Sequence, residues 1–211
     1  MSRVRVKICG VLSPEIAQAA ANAGADAIGL IFAESRRRVT VAQAARIVAV
    51  LPPFVSTVGV FVDAPADEVL SLAHSVPLDA VQLHGEEPPE MIEILRAQGV
   101  RVLKAVRVGE SVDAAELERF RAAAALLLDT RVDGLAGGSG RPFDWGLAQG
   151  LSDRFPLILS GGLTPENVVP ALDIVRPFGV DVSSGVETDG QKDPEKIRKF
   201  IEQVRRWESA Q

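Results

Sequence analysis

The stretch VRVKICGVLSPEIAQAAANAG, Val4–Gly24, decides how the rest of the chain is read. Val4–Ile8 is short, apolar and β-branched, which is strand chemistry. Ser13-Pro14-Glu15 then supplies an N-cap and a proline preset for the first helical turn. Ile16–Ala23 continues as an Ala-rich helix, and Gly24 ends it. One strand, one loop and one helix form a unit, and the question becomes how often that unit recurs.

It recurs to the end of the chain. Ala27–Phe32 is a second apolar run; Thr40 caps a helix from Val41 to Leu51 that Pro52-Pro53 stops. Val55–Val62 precedes a helix at Ala66–His74. Ala80–Leu83 precedes a helix from Pro88 to Gln98, closed by Gly99. Val102–Val106 leads to Ala114–Ala123, and Ala125–Asp129 leads through a Gly-rich loop to a short helix at Trp145–Leu151. Leu157–Ser160 leads through Thr164-Pro165-Glu166 to a helix ending near Val175, and Val180–Ser183 leads to Pro194–Trp207. Strands apolar on both faces, alternating with amphipathic helices, imply a parallel sheet covered by helices. Eight such units predict an α/β fold closed into a (β/α)8 TIM barrel, a single compact domain over residues 1–211. The alternative is an open doubly wound sheet. Eight regular units of about 26 residues, with no break in composition, favour closure.

Composition narrows the function classes. The 211 residues include 23 basic and 28 acidic side chains, a net charge of −5, and 47% are apolar. One Cys excludes an intrachain disulfide, and with two His it also excludes a Cys-based zinc finger. The negative balance argues against nucleic acid as a partner, since that binding rests on neutralising phosphates. No run of 18 apolar residues is present, so no membrane span is expected. Met1–Lys7 lacks the apolar run of a signal peptide, so a reducing, cytoplasmic compartment is expected.

In a barrel the chemistry sits at the carboxyl ends of the strands. Strand one ends in Lys7-Ile8-Cys9-Gly10. Cys9 is either a small buried hydrophobe or, stabilised by nearby cations, a base. Lys7, on the same face one layer lower, is expected to form an ion pair inside the barrel. Strand six ends in Asp129-Thr130: Asp129 is either a loop-stabilising carboxylate or a general acid at an apolar rim. Strands seven and eight end in Ser160-Gly161-Gly162-Leu163 and Asp181-Val182-Ser183-Ser184-Gly185-Val186-Glu187. Small residues there let backbone N–H groups approach an anion, as in a barrel phosphate site. His84, after strand four, is a substrate contact or a structural His. Ser35-Arg36-Arg37-Arg38, after strand two, is a solvated run or a carboxylate clamp. Gly134–Gly140 is a connection or a lid.

Taken together, these segments resemble the phosphoribosylanthranilate isomerase family of tryptophan biosynthesis. The resemblance rests on Lys7-Ile8-Cys9-Gly10, Val81-Gln82-Leu83-His84-Gly85, Leu128-Asp129-Thr130, Gly137-Gly138-Ser139-Gly140 with Phe143-Asp144-Trp145, Ser160-Gly161-Gly162-Leu163 and the strand-eight run. It spans the chain. It implies an Amadori rearrangement of N-(5-phosphoribosyl)anthranilate to 1-(2-carboxyphenylamino)-1-deoxyribulose 5-phosphate, with a phosphosugar–anthranilate substrate and no cofactor or metal. By that likeness Asp129 is the general acid and Cys9 the general base. Arg37, His84 and Asp181 contact substrate, and Gly161, Gly162, Ser184 and Gly185 hold the phosphate. Ser35-Arg36-Arg37 stands where the family usually has Ser-Pro-Arg, so three adjacent Arg compete for the carboxylate. The family occurs as monomers and homodimers. Three rival readings are the related isomerase of histidine biosynthesis, which uses two Asp where strand one here has Cys9, a Schiff-base aldolase acting through Lys104, and a barrel that only binds a phosphorylated ligand.

Overall fold

The computed structural model describes residues 3–130 and 143–211, and the Gly134–Gly140 loop lies outside them. Eight parallel strands close in chain order: β1 (Arg5–Cys9), β2 (Ala27–Ile31), β3 (Ser56–Phe61), β4 (Ala80–Leu83), β5 (Val102–Val108), β6 (Ala125–Thr130), β7 (Leu157–Leu159) and β8 (Gly179–Val182). β8 pairs with β1, Lys7 opposite Asp181, and this pairing closes the barrel and excludes the open sheet.

The helices start where local chemistry directs them. α1 (Pro14–Ala23) begins behind Ser13, whose Oγ accepts from the Ile16 N–H, and ends at Gly24 with φ +99°. α2 (Val41–Val48) has a full capping box between Thr40 and Gln43. α3 (Ala66–Ser75), α4 (Pro89–Ala97), α5 (Ala114–Arg119), α6 (Val168–Val175) and α7 (Pro194–Ser209) complete the outer layer. α2 ends at Val48 rather than Leu51 and α5 at Arg119 rather than Ala123, and two further differences have local causes. Asn167 accepts from the Thr164 N–H and donates to the Gly162 carbonyl, so the segment from Thr164 stays a loop and α6 starts only at Val168. The expected helix at Trp145–Leu151 is two 3₁₀ turns, Trp145–Ala148 and Leu151–Asp153, interrupted by Gly150 at φ +78°.

A two-stranded hairpin follows β8 where only a loop was expected: β9 (Glu187–Thr188) and β10 (Gln191–Lys192).

Two apolar layers hold the fold. The barrel interior is filled by Val58, Ala80, Leu103, Ala105, Ala125, Leu127 and Ile158. The larger layer lies between strands and helices and includes Ile8, Leu30, Leu83, Leu126, Val180 and Phe200. Strand side chains alternate between these layers. The same alternation turns Lys7, Cys9, Gln82, His84, Asp129 and Asp181 inward at the carboxyl end.

Candidate active site

A cavity of about 520 Å³ opens at that end. Cys9, Arg37, His84, Asp129, Gly161, Gly162, Asp181, Ser184 and Gly185 all line it. These are the nine residues that the sequence nominated. Two other cavities of about 460 Å³ lie at the opposite end of the barrel and on its flank, away from the strand-end thiol and carboxylates.

The floor is charged and buried. Lys7 Nζ sits 2.8 Å from Asp181 Oδ1, with both side chains 5% exposed. This is the ion pair expected inside the barrel. Ser160 Oγ donates to Asp181 Oδ2 at 3.4 Å. Burial disfavours charge on Lys7, but Asp181 and Cys9 outweigh it and hold the ammonium above its ordinary range. Burial also pushes the Cys9 thiol up, and Asp181 adds to this; Lys7 and Lys192 pull it back only in part. The resting thiol therefore keeps its proton. Cys9 needs room that only glycine leaves: a Cβ on Gly29, its neighbour in register on β2, would stand 2.7 Å from Cys9 Sγ.

Asp129 is 6% exposed and fully engaged on its inner side. Oδ1 accepts from the Thr130 N–H at 2.8 Å, and Oδ2 lies 3.1 Å from His84 Nε2. His84 Nδ1 in turn lies 2.7 Å from Gln82 Nε2. His84 thus packs behind the Asp129 carboxyl as well as lining the cavity.

The third group joins the two ends of the chain. Glu187 receives Arg37 Nε on Oε1 at 2.6 Å and Arg37 Nη2 on Oε2 at 2.9 Å. Arg36 Nη2 reaches Oε2 at 2.7 Å and Lys192 Nζ reaches Oε1 at 2.6 Å. Burial pushes Glu187 up, but the hydrogen bonds from Arg37 and Lys192 override it and bring the carboxyl to about 2. Lys192 also donates to the Ser183 carbonyl, and Ser183 Oγ donates to the Cys9 carbonyl. Of the three adjacent Arg, Arg36 and Arg37 line the cavity and Arg38 does not. Arg37 is the more enclosed, its side chain 11% exposed against 58% for Arg36.

The loops after β7 and β8 touch. A Cβ on Gly185 would lie 1.8 Å from the Leu163 carbonyl oxygen. Gly161 and Gly162 hold φ of +79° and +69°, which strain any other L-residue.

Lys104 points away from this cavity. It is buried against Glu87, Nζ to Oε2 at 2.8 Å, and donates to the Gly85 carbonyl, so the Schiff-base reading has no nucleophile in the site. Sequence reasoning missed Gln82, Glu187 and Lys192. Gln82 and Glu187 lay inside quoted strand-end runs, where an inward-facing polar residue is a usable signal. Lys192 carried none, since its hairpin strands are two residues long.

Known proteins place this geometry. The family model for N-(5'-phosphoribosyl)anthranilate isomerase matches residues 6–203. The N-(5'-phosphoribosyl)anthranilate isomerase of Desulforamulus reducens is 52% identical over 202 residues, covering 96% of this chain and 95% of that one. The crystal structure of phosphoribosyl anthranilate isomerase from Thermotoga maritima superposes with a TM-score of 0.86 at 47% identity, covering 96% of this chain and 98% of that one. A structure of such an isomerase in complex with reduced 1-(o-carboxyphenylamino)-1-deoxyribulose 5-phosphate superposes with a TM-score of 0.83 at 45% identity, covering 96% of this chain and 98% of that one. A closed eight-strand barrel with a thiol and a carboxyl at one mouth, matched over nearly its whole length, belongs to the N-(5'-phosphoribosyl)anthranilate isomerase family.

Proposed function

We propose that Asp129 and Cys9 are the acid and base with which this isomerase opens and rearranges its substrate. The reaction converts N-(5-phosphoribosyl)anthranilate to 1-(2-carboxyphenylamino)-1-deoxyribulose 5-phosphate, a step of tryptophan biosynthesis. The observation that carries the assignment is the shared cavity, which Cys9 and Asp129 both line together with the glycine loops after β7 and β8.

Asp129 gives its proton to the furanose ring oxygen. The C1–O bond breaks, and the anthranilate nitrogen lone pair forms the C1=N bond of a cationic Schiff base. The Cys9 thiol gives up its own proton to solvent and, as thiolate, takes the C2 proton; the released electron pair forms the C1=C2 bond as the C1=N pair returns to nitrogen, giving the enolamine. The C2 hydroxyl loses its proton as C1 gains one, leaving the ketone. The Schiff-base cation acidifies the C2 proton. It also joins Lys7 and Lys192 as a third positive charge favouring the thiolate, offsetting the burial that keeps the resting thiol protonated.

Arg37 fits the anthranilate carboxylate with the guanidinium edge that Glu187 leaves open. Gly161, Gly162, Ser184 and Gly185 fit the phosphate, with backbone N–H groups as donors. Asp181 holds Lys7 beneath the reacting carbons. The small concave site and the net charge of −5 support a small-molecule partner over nucleic acid. The biosynthetic reaction supports a cytoplasmic setting and a chain acting as one domain. Among the described residues, no helix is long and apolar enough to cross a membrane.

The test is the fluorescence of phosphoribosylanthranilate on addition of the purified chain. A decrease is expected, slowed by a factor of about 10² or more in Cys9→Ala and in Asp129→Ala. Full activity in either variant removes that residue from its role.

A further inference from the structure

The reading of Asp129 as the acid leaves a buried group unexplained. Gln82 is 1% exposed and takes no part in the chemistry above. Its Nε2 lies 2.7 Å from His84 Nδ1, while its Oε1 is buried with no hydrogen-bond partner among the described residues. A buried, unpaired carbonyl oxygen is costly and calls for a reason. The reason lies in the next contact, where His84 Nε2 faces Asp129 Oδ2 at 3.1 Å.

An amide nitrogen can only donate. Facing Gln82 Nε2, the Nδ1 atom of neutral His84 must be the bare, accepting nitrogen, and the ring proton then sits on Nε2. That proton points at Asp129. We propose that Gln82 is a positioning residue that locks His84 in the Nε2–H tautomer, so that the carboxylate left when Asp129 gives up its proton is met by a preset N–H donor. The other oxygen is already served by the Thr130 N–H. Both donors are in place before charge develops, and this preorganisation is what makes such contacts effective. The opposite tautomer would aim a lone pair at the new carboxylate and oppose proton donation. The neighbouring cation on β5, Arg107, is held by Glu86 Oε1 and the His84 carbonyl, and bonds neither His84 ring nitrogen.

The inference rests on Asp129 acting as the acid, and the experiments separate the two. The chain has only two histidines, His74 and His84, so ¹⁵N-histidine labelling reads the tautomer directly, with His74→Gln for assignment. In the unmodified protein His84 should show Nε2 protonated and Nδ1 bare. A protonated Nδ1 at neutral pH overturns the proposal without any variant having to fold. Gln82→Glu keeps the shape but accepts where Gln82 donated. It should move the His84 proton to Nδ1 and lower kcat roughly tenfold or more, with KM changed less than about threefold. Gln82→Met removes the donor and should give mixed tautomers with a similar loss. Unchanged kcat in both folded variants overturns the proposal, provided Asp129→Asn is inactive. An active Asp129→Asn instead refutes the acid assignment on which the proposal stands.

Discussion

Arg37 and Glu187 lie 150 residues apart and meet edge to edge through two parallel hydrogen bonds, Nε to Oε1 and Nη2 to Oε2. The paired fork occupies Nε and Nη2 and fixes the direction of the guanidinium, which leaves Nη1 for the carboxylate proposed above. Glu187→Gln removes the charge that holds the fork. KM for phosphoribosylanthranilate should rise about tenfold, the value of one charge-assisted hydrogen bond, while kcat stays within about threefold. Steady-state kinetics decides it, since an unchanged KM would show that this brace does not serve binding.

The same carboxylate sets an acid limit on stability. Glu187 titrates at about 2 in the fold against an ordinary 4.5. A depressed folded value adds stability that is fully present above the unfolded value and is lost as pH falls through the folded one. The window here is therefore from about 4.5 down to about 2, and the contribution is about 3 kcal/mol. Urea unfolding of the wild type and of Glu187→Gln should give curves well separated near neutrality that converge towards pH 2. A gap that is the same at both ends would falsify this linkage.

Cys9 sets an alkaline limit on activity. Its raised value in the free site means that thiol, not thiolate, dominates near neutrality. The proposed chemistry needs Asp129 with its proton and Cys9 without one, so kcat/KM, which reports the free enzyme, should hold level past the ordinary thiol range and fall only as pH passes the raised thiol value. A fall that begins below the ordinary thiol range would show that Cys9 is not held up by its burial.

Gly161 links the loop after β7 to Asp129. A Cβ there would stand 2.3 Å from Thr130 Oγ1 and 2.9 Å from Asp129 Oδ1. Gly150 has nearly the same φ, +78° against +79°, but nothing within 4 Å of such a Cβ. Gly161→Ala should cost kcat tenfold or more by displacing Asp129, whereas Gly150→Ala should cost only backbone strain of about 1 kcal/mol in stability. Equal effects of the two substitutions on kcat would rule out the steric route to Asp129.

The sequence carried the barrel because its strands are continuous apolar runs with clear helix caps between them. The predicted Ala80–Leu83 is the observed β4, and Ser13 and Thr40 cap the helices they were expected to cap. The candidate site was legible for a related reason: a polar residue ending an apolar strand has one place to be, the mouth. Pairing was not legible. Ser35–Arg38 stayed open between a solvated run and a clamp because Glu187 is far away in sequence, and His84 stayed open between a substrate contact and a structural His because its bond to Asp129 spans 45 positions. Gln82 sits inside an apolar strand, where its polarity is a signal that it faces inward but says nothing of its partner, His84. Thr164-Pro165-Glu166 left the start of α6 open, because the Asn167 side chain ties Thr164 and Gly162 into a turn ahead of the helix.

The seam between β1 and β8 carries the Lys7–Asp181 pair and the Ser183 bond to Cys9, and the Arg37–Glu187 fork spans the mouth beside it. In each pair one partner belongs to the first fifth of the chain and the other to the last. A nascent chain still held by the ribosome already has Lys7, Cys9 and Arg37, yet it lacks Asp181, Ser183 and Glu187, which hold them in place. The mouth of this barrel therefore takes its final arrangement only after β8 and the hairpin behind it have been released.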